Sequence, residues 1–507
     1  MTQVHSAFRL HFFIITKCRY QNIYYTNPMY RRLGGSIAKA SQGTDSQGTD
    51  SQGTDSGDAR NIYDVVVIGG GVAGLFTVYQ IHKKSPHTTV LLLEKEDRLG
   101  GRIYTYKDPH MTVEAGAGRF NGSHRLVMNL VDELGLASKR NKNSGDVVFR
   151  PAVERKIRNV NGESLDTLRR TTEWSQLDCA TDSVEYSEHR GAKTLPNAAL
   201  IQHLVAQSTS FSKQYLQHHT LSQYASQVLT KRQVQYIKRS FGYYSELVIM
   251  NAYDAIQLLN SLGPGNTFYG LKGGLEQIIT RMEAIVRKHP NIHILKHTTV
   301  TNVVYHNPIF YVCTDTSDIY ECKNCVCALP KPALLALPIF RSVRPLINKI
   351  TSGTLCRIYT QYDRDHVWFR DIERFTTDND LRMVIPYNRN EGTIMISYSD
   401  HRFADKWEQM YREKGVQEVN RYLREQMLES TGIRIPRPIR TKVFYWACGV
   451  GYWGVGADSK RVAEQMIQPF PEMPLFVCGE NYSEHGQQWI EGALETSTTV
   501  VSRLRGL

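Results

Sequence analysis

The sequence predicts an α/β fold, a Rossmann-like domain with an α+β domain inserted into it. Three observations lead there. A strand, a glycine-rich turn, a helix and a second strand follow one another between Tyr63 and Arg102. The same strand–turn–helix grammar returns from Pro474 to Leu507, so the last segment completes the domain that the first begins. A chain of 507 residues is long enough for two domains that interleave in sequence.

Asp64 to Ile68 is a continuous apolar run, read as a strand leading into Gly69-Gly70-Gly71-Val72-Ala73-Gly74. An amphipathic helix follows to about Lys84, then a second apolar strand from Thr88 to Leu93. That strand ends at Glu94, with Lys95 beside it, 20 residues past Gly74. This is the dinucleotide fingerprint in its βαβ setting. Gly69 permits the tight turn, Gly71 lets the backbone approach a pyrophosphate, and Gly74 lets helix and strand pack closely. The helix opens at Val72 and Ala73, where unpaired N–H groups and the positive dipole end face the phosphates. Glu94 can accept hydrogen bonds from both ribose hydroxyls; a 2′-phosphate would want an arginine there. Arg98-Leu99-Gly100-Gly101-Arg102 then brings a second close backbone approach, flanked by guanidiniums able to hold pyrophosphate oxygens bidentately.

Beyond this unit the chain is polar and irregular to about Pro196, and helical in pattern from Asn197 to about Leu262. Glycines cluster at Gly263 to Gly274, a helix spans Leu275 to Lys288, and alternating strands run from Asn291 to Tyr320. Tyr320 to Leu329 reads as a buried strand, and a mixed section continues to about Arg440.

Composition sets wider bounds. Apolar residues make up 41% and charged residues 22%, ordinary for a globular protein. The balance of 61 basic to 49 acidic residues gives +12, a modest excess on the folded body that favours anionic substrates. No basic stripe interleaved with aromatics argues for nucleic acid. Cys322, Cys325 and Cys327 lack a second ligand pair at zinc spacing, so they read as small apolar residues and no metal site is predicted. Free thiols fit a reducing, intracellular compartment. The first 44 residues hold six Lys or Arg and no acid. Two readings stand for residues 1–40: an organelle presequence of mitochondrial type, or a disordered extension with translation starting at Met29. Phe12 to Ile15 is too short an apolar stretch to span a membrane. SQGTD, three times in tandem from Ser41 to Asp55, reads as a flexible linker.

From Tyr63 onward the chain resembles the FAD-dependent amine oxidase superfamily, which includes monoamine, polyamine and L-amino-acid oxidases. The resemblance rests on the fingerprint with its RxGGR extension and on Val113-Glu114-Ala115-Gly116-Ala117-Gly118-Arg119, similar to the segment that passes the flavin. It continues through Phe268 to Leu275, the strand carrying Val300, Cys327-Ala328-Leu329-Pro330, Phe476 to Glu480, and Gly486 to Ala493. The resemblance implies an amine-oxidase-type fold with FAD contacts at Gly116, Ala117, Gly118, Arg119, Val300 (through its backbone to adenine), Gly479 and Glu480. It also places the amides around Trp489 and Ile490 near the isoalloxazine, where a helix N-terminus stabilises the anionic reduced flavin.

Substrate class and reoxidation turn on a few positions. By the motif, Arg119 matches the arginine that pairs with the substrate carboxylate in L-amino-acid oxidases, and Tyr452 and Trp489 match the pocket aromatics. Arg357 stands where the family carries a flavin-facing lysine that aids oxygen reduction. It keeps the charge but cannot deprotonate. That departure leaves three readings: slower reoxidation, another electron acceptor, or a register one or two residues away. The pocket histidine of the amino-acid oxidases falls on Tyr253, a second departure. Gly451, not a cysteine, precedes Tyr452, which implies non-covalent FAD.

The resemblance thus implies oxidative deamination of an amine, foremost an L-amino acid, by hydride transfer to flavin N5, with oxygen reduced to hydrogen peroxide. The alternatives are a monoamine or polyamine oxidase and a catalytically silent FAD-bound scaffold. The predicted boundaries are 1–60 for the extension and linker; 61–120, 265–330 and 441–507 for the FAD domain; and 121–264 with 331–440 for the substrate domain. Partners are a small amine or amino acid and oxygen; a homodimer is compatible with the sequence.

Overall fold

A computed structural model describes residues 62–143, 148–149, 196–262 and 266–506. The N-terminal extension, the SQGTD repeats and residues 150–195 of the polar stretch lie outside the described residues.

Two large sheets carry the chain. In the first, the strand Tyr63–Ile68 sits centrally, parallel to Val90–Leu93 on one side and to Ile319–Cys327 on the other. Ile292–Leu295 extends the sheet beyond Val90–Leu93. The far edge of Ile319–Cys327 is shared. Its first half pairs with the hairpin strand Ile309–Thr314, and its second half with Leu475–Val477, which arrives in parallel from the end of the chain. The return of the C-terminal segment is thus a hydrogen-bonded fact. Val300–His306 completes the hairpin.

Both faces of this sheet are covered, which is why its inner strands read as unbroken apolar runs. Val65, Val67, Val90 and Leu92 face a core with the fingerprint helix Val72–Lys84, the helix Glu276–Val286 and the C-terminal helix Ile490–Arg503. Val66, Ile68, Leu91 and Leu93 face the opposite core, shared with the helical section Pro196–Ser261. Cys322, Cys325 and Cys327 belong to that second core, fully buried and unpaired.

The second sheet has the order Arg440–Trp453, Ile350–Gln361, Thr393–Asp400, Met383–Asn388, Phe375–Thr376, Val148–Phe149. Cys356, Ile358, Ile394 and Ile396 pack under the helix His401–Thr431, which is interrupted at Gly415. Period-2 alternation turns Leu355, Arg357 and Tyr359 to the other face, toward a cavity. The segment 441–453, grouped by sequence with the FAD domain, is hydrogen-bonded along this second sheet. No helix among the described residues is long and apolar enough to cross a membrane.

The fingerprint glycines set how closely helix and sheet approach. A Cβ on Gly74 would lie 1.9 Å from the Gly69 carbonyl oxygen, whereas one on Gly71 would meet nothing within 4 Å. Gly71 has φ −64°, which alanine adopts freely. Gly74→Ala is therefore expected to lower stability by about 2 kcal/mol or more, and Gly71→Ala to change it by less than about 0.5 kcal/mol. Thermal unfolding of the two variants checks this; equal Tm values would contradict it.

Candidate active site

The two sheets and the helical section enclose one long cavity of about 1290 Å³. Of the residues assigned by sequence to the cofactor or to catalysis, all but Gly74 line it; that glycine serves helix–strand packing.

One end is built from backbone. Gly69 turns with φ +101°, and Gly71 caps the fingerprint helix with no side-chain hydrogen bond, leaving the first-turn N–H groups at Val72 and Ala73 toward the cavity. Glu94 Oε2 accepts from the Gly70 N–H at 2.6 Å and Oε1 from the Glu96 N–H at 2.8 Å. Each oxygen keeps a further lone pair for a ligand. Lys95 and Val300 line the same end.

The RxGGR turn lies directly on the fingerprint turn. The Gly100 N–H donates to Gly70 O at 2.8 Å, and a Cβ on Gly101 would stand 3.3 Å from Gly71 Cα. Its two arginines differ. Arg98 commits Nη2 to Gly101 O at 2.8 Å and sits over the Tyr104 ring, so it holds its own loop together. Arg102 donates Nη1 to Glu480 Oε1 at 2.5 Å and to Gly449 O at 3.1 Å, joining the start of the chain to its end. Glu480 Oε2 in turn accepts from the Gln488 N–H at 2.9 Å. Gly479, φ +137°, has nothing within 4 Å of a hypothetical Cβ and leaves the cavity open there.

The middle is a second backbone cradle. Ala117 N–H donates to Arg102 O, and Gly116 comes so close that a Cβ would be 2.0 Å from that oxygen. Trp446 Nε1 donates to Ala115 O at 2.7 Å, fixing the indole against this segment. Gly118 borders Arg357, whose Nη1 would be 3.1 Å from a Cβ there. Opposite, the C-terminal helix begins at Ile490 with Trp489 as its uncapped N-terminal residue. Two uncapped helix N-termini, an acceptor acid and three glycine approaches suit a long anionic dinucleotide whose phosphates need N–H donors.

The remaining end is aromatic and charged. The Arg119 guanidinium lies 4.3 Å over the Phe268 ring and 3.5 Å from the Tyr243 hydroxyl. Trp489 stacks on Phe268 with centroids 6.0 Å apart and meets His124 edge-on at 5.0 Å; burial lowers the His124 imidazole to about 4. The Tyr452 ring lies against Gly353, 2.3 Å from where a Cβ would stand. Arg357 donates Nη1 to Glu114 O at 2.9 Å and stacks 4.6 Å from the Tyr398 ring. The cavity-facing residues on either side of it are Leu355 and Tyr359, so no lysine is found within two residues of that register. Tyr253 does not line the cavity, and Lys213 stands 4.9 Å over its ring.

Sequence reasoning missed Tyr398, Tyr359, Glu246 and Cys448, all in the lining. Tyr359 was accessible, two residues from Arg357 on the same strand face. Tyr398 was not: it stands directly across from Arg357 on Thr393–Asp400, a product of strand register. Cys448 lies four residues before Tyr452.

The family model for flavin-containing amine oxidoreductases matches residues 72–505. A probable flavin-containing monoamine oxidase A of Dictyostelium discoideum is 23% identical over 366 residues, 68% of this chain and 73% of the relative. An L-glutamate oxidase precursor of Streptomyces viridosporus is 37% identical over 89 residues, 15% of this chain and 13% of that one. A solved structure of putrescine oxidase bound to putrescine superposes with TM-score 0.66 at 15% identity, over 87% of this chain and 99% of that one. The fold and cavity are those of an FAD-dependent oxidoreductase. The chain belongs to the flavin-containing amine oxidoreductase family, with FAD as cofactor and an amine as substrate.

Glu114 ties the cavity to stability. Its Oε1 accepts from the Leu275 N–H at 2.7 Å and Oε2 from the Thr105 hydroxyl at 2.9 Å, yet burial pushes the carboxyl from 4.5 to about 7. A carboxyl raised on folding contributes stability that is complete below its unfolded value and is lost as pH rises through its folded value. Glu114→Gln keeps an acceptor for Leu275 and removes the titration. Relative to wild type, the variant is expected to gain on the order of 3 kcal/mol between about pH 4 and pH 8. Thermal unfolding across that range checks it; parallel pH profiles would contradict it.

Proposed function

We propose that the protein oxidatively deaminates an L-amino acid, with Arg119 receiving the substrate carboxylate. The observation that carries this reading is the Arg119 guanidinium inside the cavity, 4.3 Å over the Phe268 ring, with no carboxylate partner among the described residues. A guanidinium offers a carboxylate two parallel hydrogen bonds, and the Phe268 ring lies against it. An amine without a carboxylate would leave that charge unpaired in a partly buried site.

Bound FAD would supply the hydride acceptor at N5 and the route of the electrons to oxygen, with hydrogen peroxide as product. The chain's residues bind, orient and dry the substrate. Gly71 and the first turn of the fingerprint helix would hold the pyrophosphate, Glu94 the adenosine ribose, and Arg102 with Glu480 the middle of the cofactor. Trp489 and Tyr452 form aromatic walls that exclude water and align a neutral amine for loss of hydride from its α-carbon. No side chain is required as a general base; the imine hydrolyses to an oxo acid and ammonia. Arg357 contributes a permanent positive charge beside Gly118 and cannot pass a proton, so its help to reoxidation would be electrostatic. In this reading the first sheet with its helices is the FAD domain, and the second sheet with the helical section is the substrate domain.

Arg119→Ala is expected to lower kcat/KM for L-amino acids by about 100-fold, chiefly through KM. Wild-type values in the variant, with turnover of simple amines, would transfer the reading to a monoamine or polyamine oxidase. FAD is proposed to be non-covalent. Acid precipitation should leave the yellow chromophore in the supernatant; a yellow pellet would contradict this and point to Cys448.

A further inference from the structure

Most buried acids around the cavity are satisfied. Glu94 accepts from two backbone N–H groups, Glu114 from Leu275 and Thr105, and Glu480 from Arg102 and Gln488. Asp400, beneath the aromatic end, accepts from the N–H groups of Tyr244 at 3.0 Å and Ser245 at 2.6 Å. Glu246 differs. It is 7% exposed, lines the cavity, and its buried Oε2 has no hydrogen-bond partner among the described residues. No ion pair to it is formed among them.

Its surroundings define what could complete it. Burial, then the nearby Asp400, holds the Glu246 carboxyl up at about 8. Tyr243 and Tyr452 line the same cavity, and their hydroxyls are raised first by burial, with Glu246 adding to the shift in both. The neighbouring Asp400 adds acidic charge at this point of the lining, which favours a cation against Glu246, while Arg119 acts on Tyr243 in the opposite sense. An apolar group would leave the carboxyl unpaired, at a cost of roughly 1–3 kcal/mol. A cationic donor at this part of the lining would meet the Glu246 carboxyl and the acidic charge beside it together. Arg119, linked to Tyr243 at 3.5 Å, gives the same compartment a cationic counterpart for a carboxylate.

We propose that Glu246 determines specificity by receiving a second cationic group, an ammonium or guanidinium at the far end of the substrate, while the reacting amine lies against the flavin. This rests on the reading of the cavity's aromatic end as the substrate site. The matching substrates are dibasic: an L-amino acid with a basic side chain, or a diamine.

The test uses the FAD-loaded protein and two matched pairs, L-lysine with L-norleucine and 1,5-diaminopentane with pentylamine. Glu246→Gln preserves shape and Glu246→Asp the charge; flavin content and Tm confirm that each is folded. In the pair that wild type oxidises, the dibasic member is expected to be preferred. Glu246→Gln should lower that preference on the order of 30-fold through KM, and Glu246→Asp should restore part of it. Oxidation of the amine pair alone would end the L-amino-acid reading and leave Glu246 decided by the diamine preference. A wild-type preference for the monobasic members, the same ratio in Glu246→Gln, or no oxidation of any of the four would overturn the assignment.

Discussion

Everything in this fold depends on backbone lying directly on backbone around the cofactor cradle. Gly69 is so close to Ala328 O that a Cβ would stand 2.6 Å from it, Gly74 meets the Gly69 carbonyl, Gly101 meets Gly71, and Gly116 meets Arg102. These contacts stack four distant chain segments without intervening side chains. The cradle they form exposes N–H groups instead of apolar surface, which a phosphate-rich cofactor requires. The bond from Arg102 to Glu480 then joins the start of the folded body to its end. The first sheet is covered by helices on both faces, and the second is packed under the helix His401–Thr431 on the face away from the cavity.

The cradle was legible in the sequence because it is written in local chemistry. Glycine positions, an acid at the end of the second strand and the RxGGR turn need only their neighbours to be interpreted. The C-terminal strand and helix were legible for the same reason. The fate of 441–453 was not. An apolar run names a strand but not its partner, and this one pairs with Ile350–Gln361 across the second sheet. The role of Arg98 was hidden similarly, since a guanidinium near glycines reads as a phosphate ligand until the carbonyls it serves are seen.

The substrate end was the least legible part, because tertiary approach creates it. Arg119 could be found by motif, but the Phe268 ring under it comes from a strand about 150 residues away. Tyr398 faces Arg357 only through strand register, and Glu246 gains meaning only from the donors that surround other acids and not this one. A half-buried arginine over a ring and a buried acid without a donor are both groups whose desolvation is unfavourable unless a ligand completes them.

Anaerobic mixing of the FAD-loaded protein with an L-amino acid and, separately, with the amine left by removing its carboxyl group isolates the step on which the functional reading turns. Bleaching of the visible flavin band by the amino acid, and much slower or absent bleaching by the decarboxylated amine, is the predicted result. Bleaching by the amine alone, or by neither compound across a panel of side chains, would contradict it.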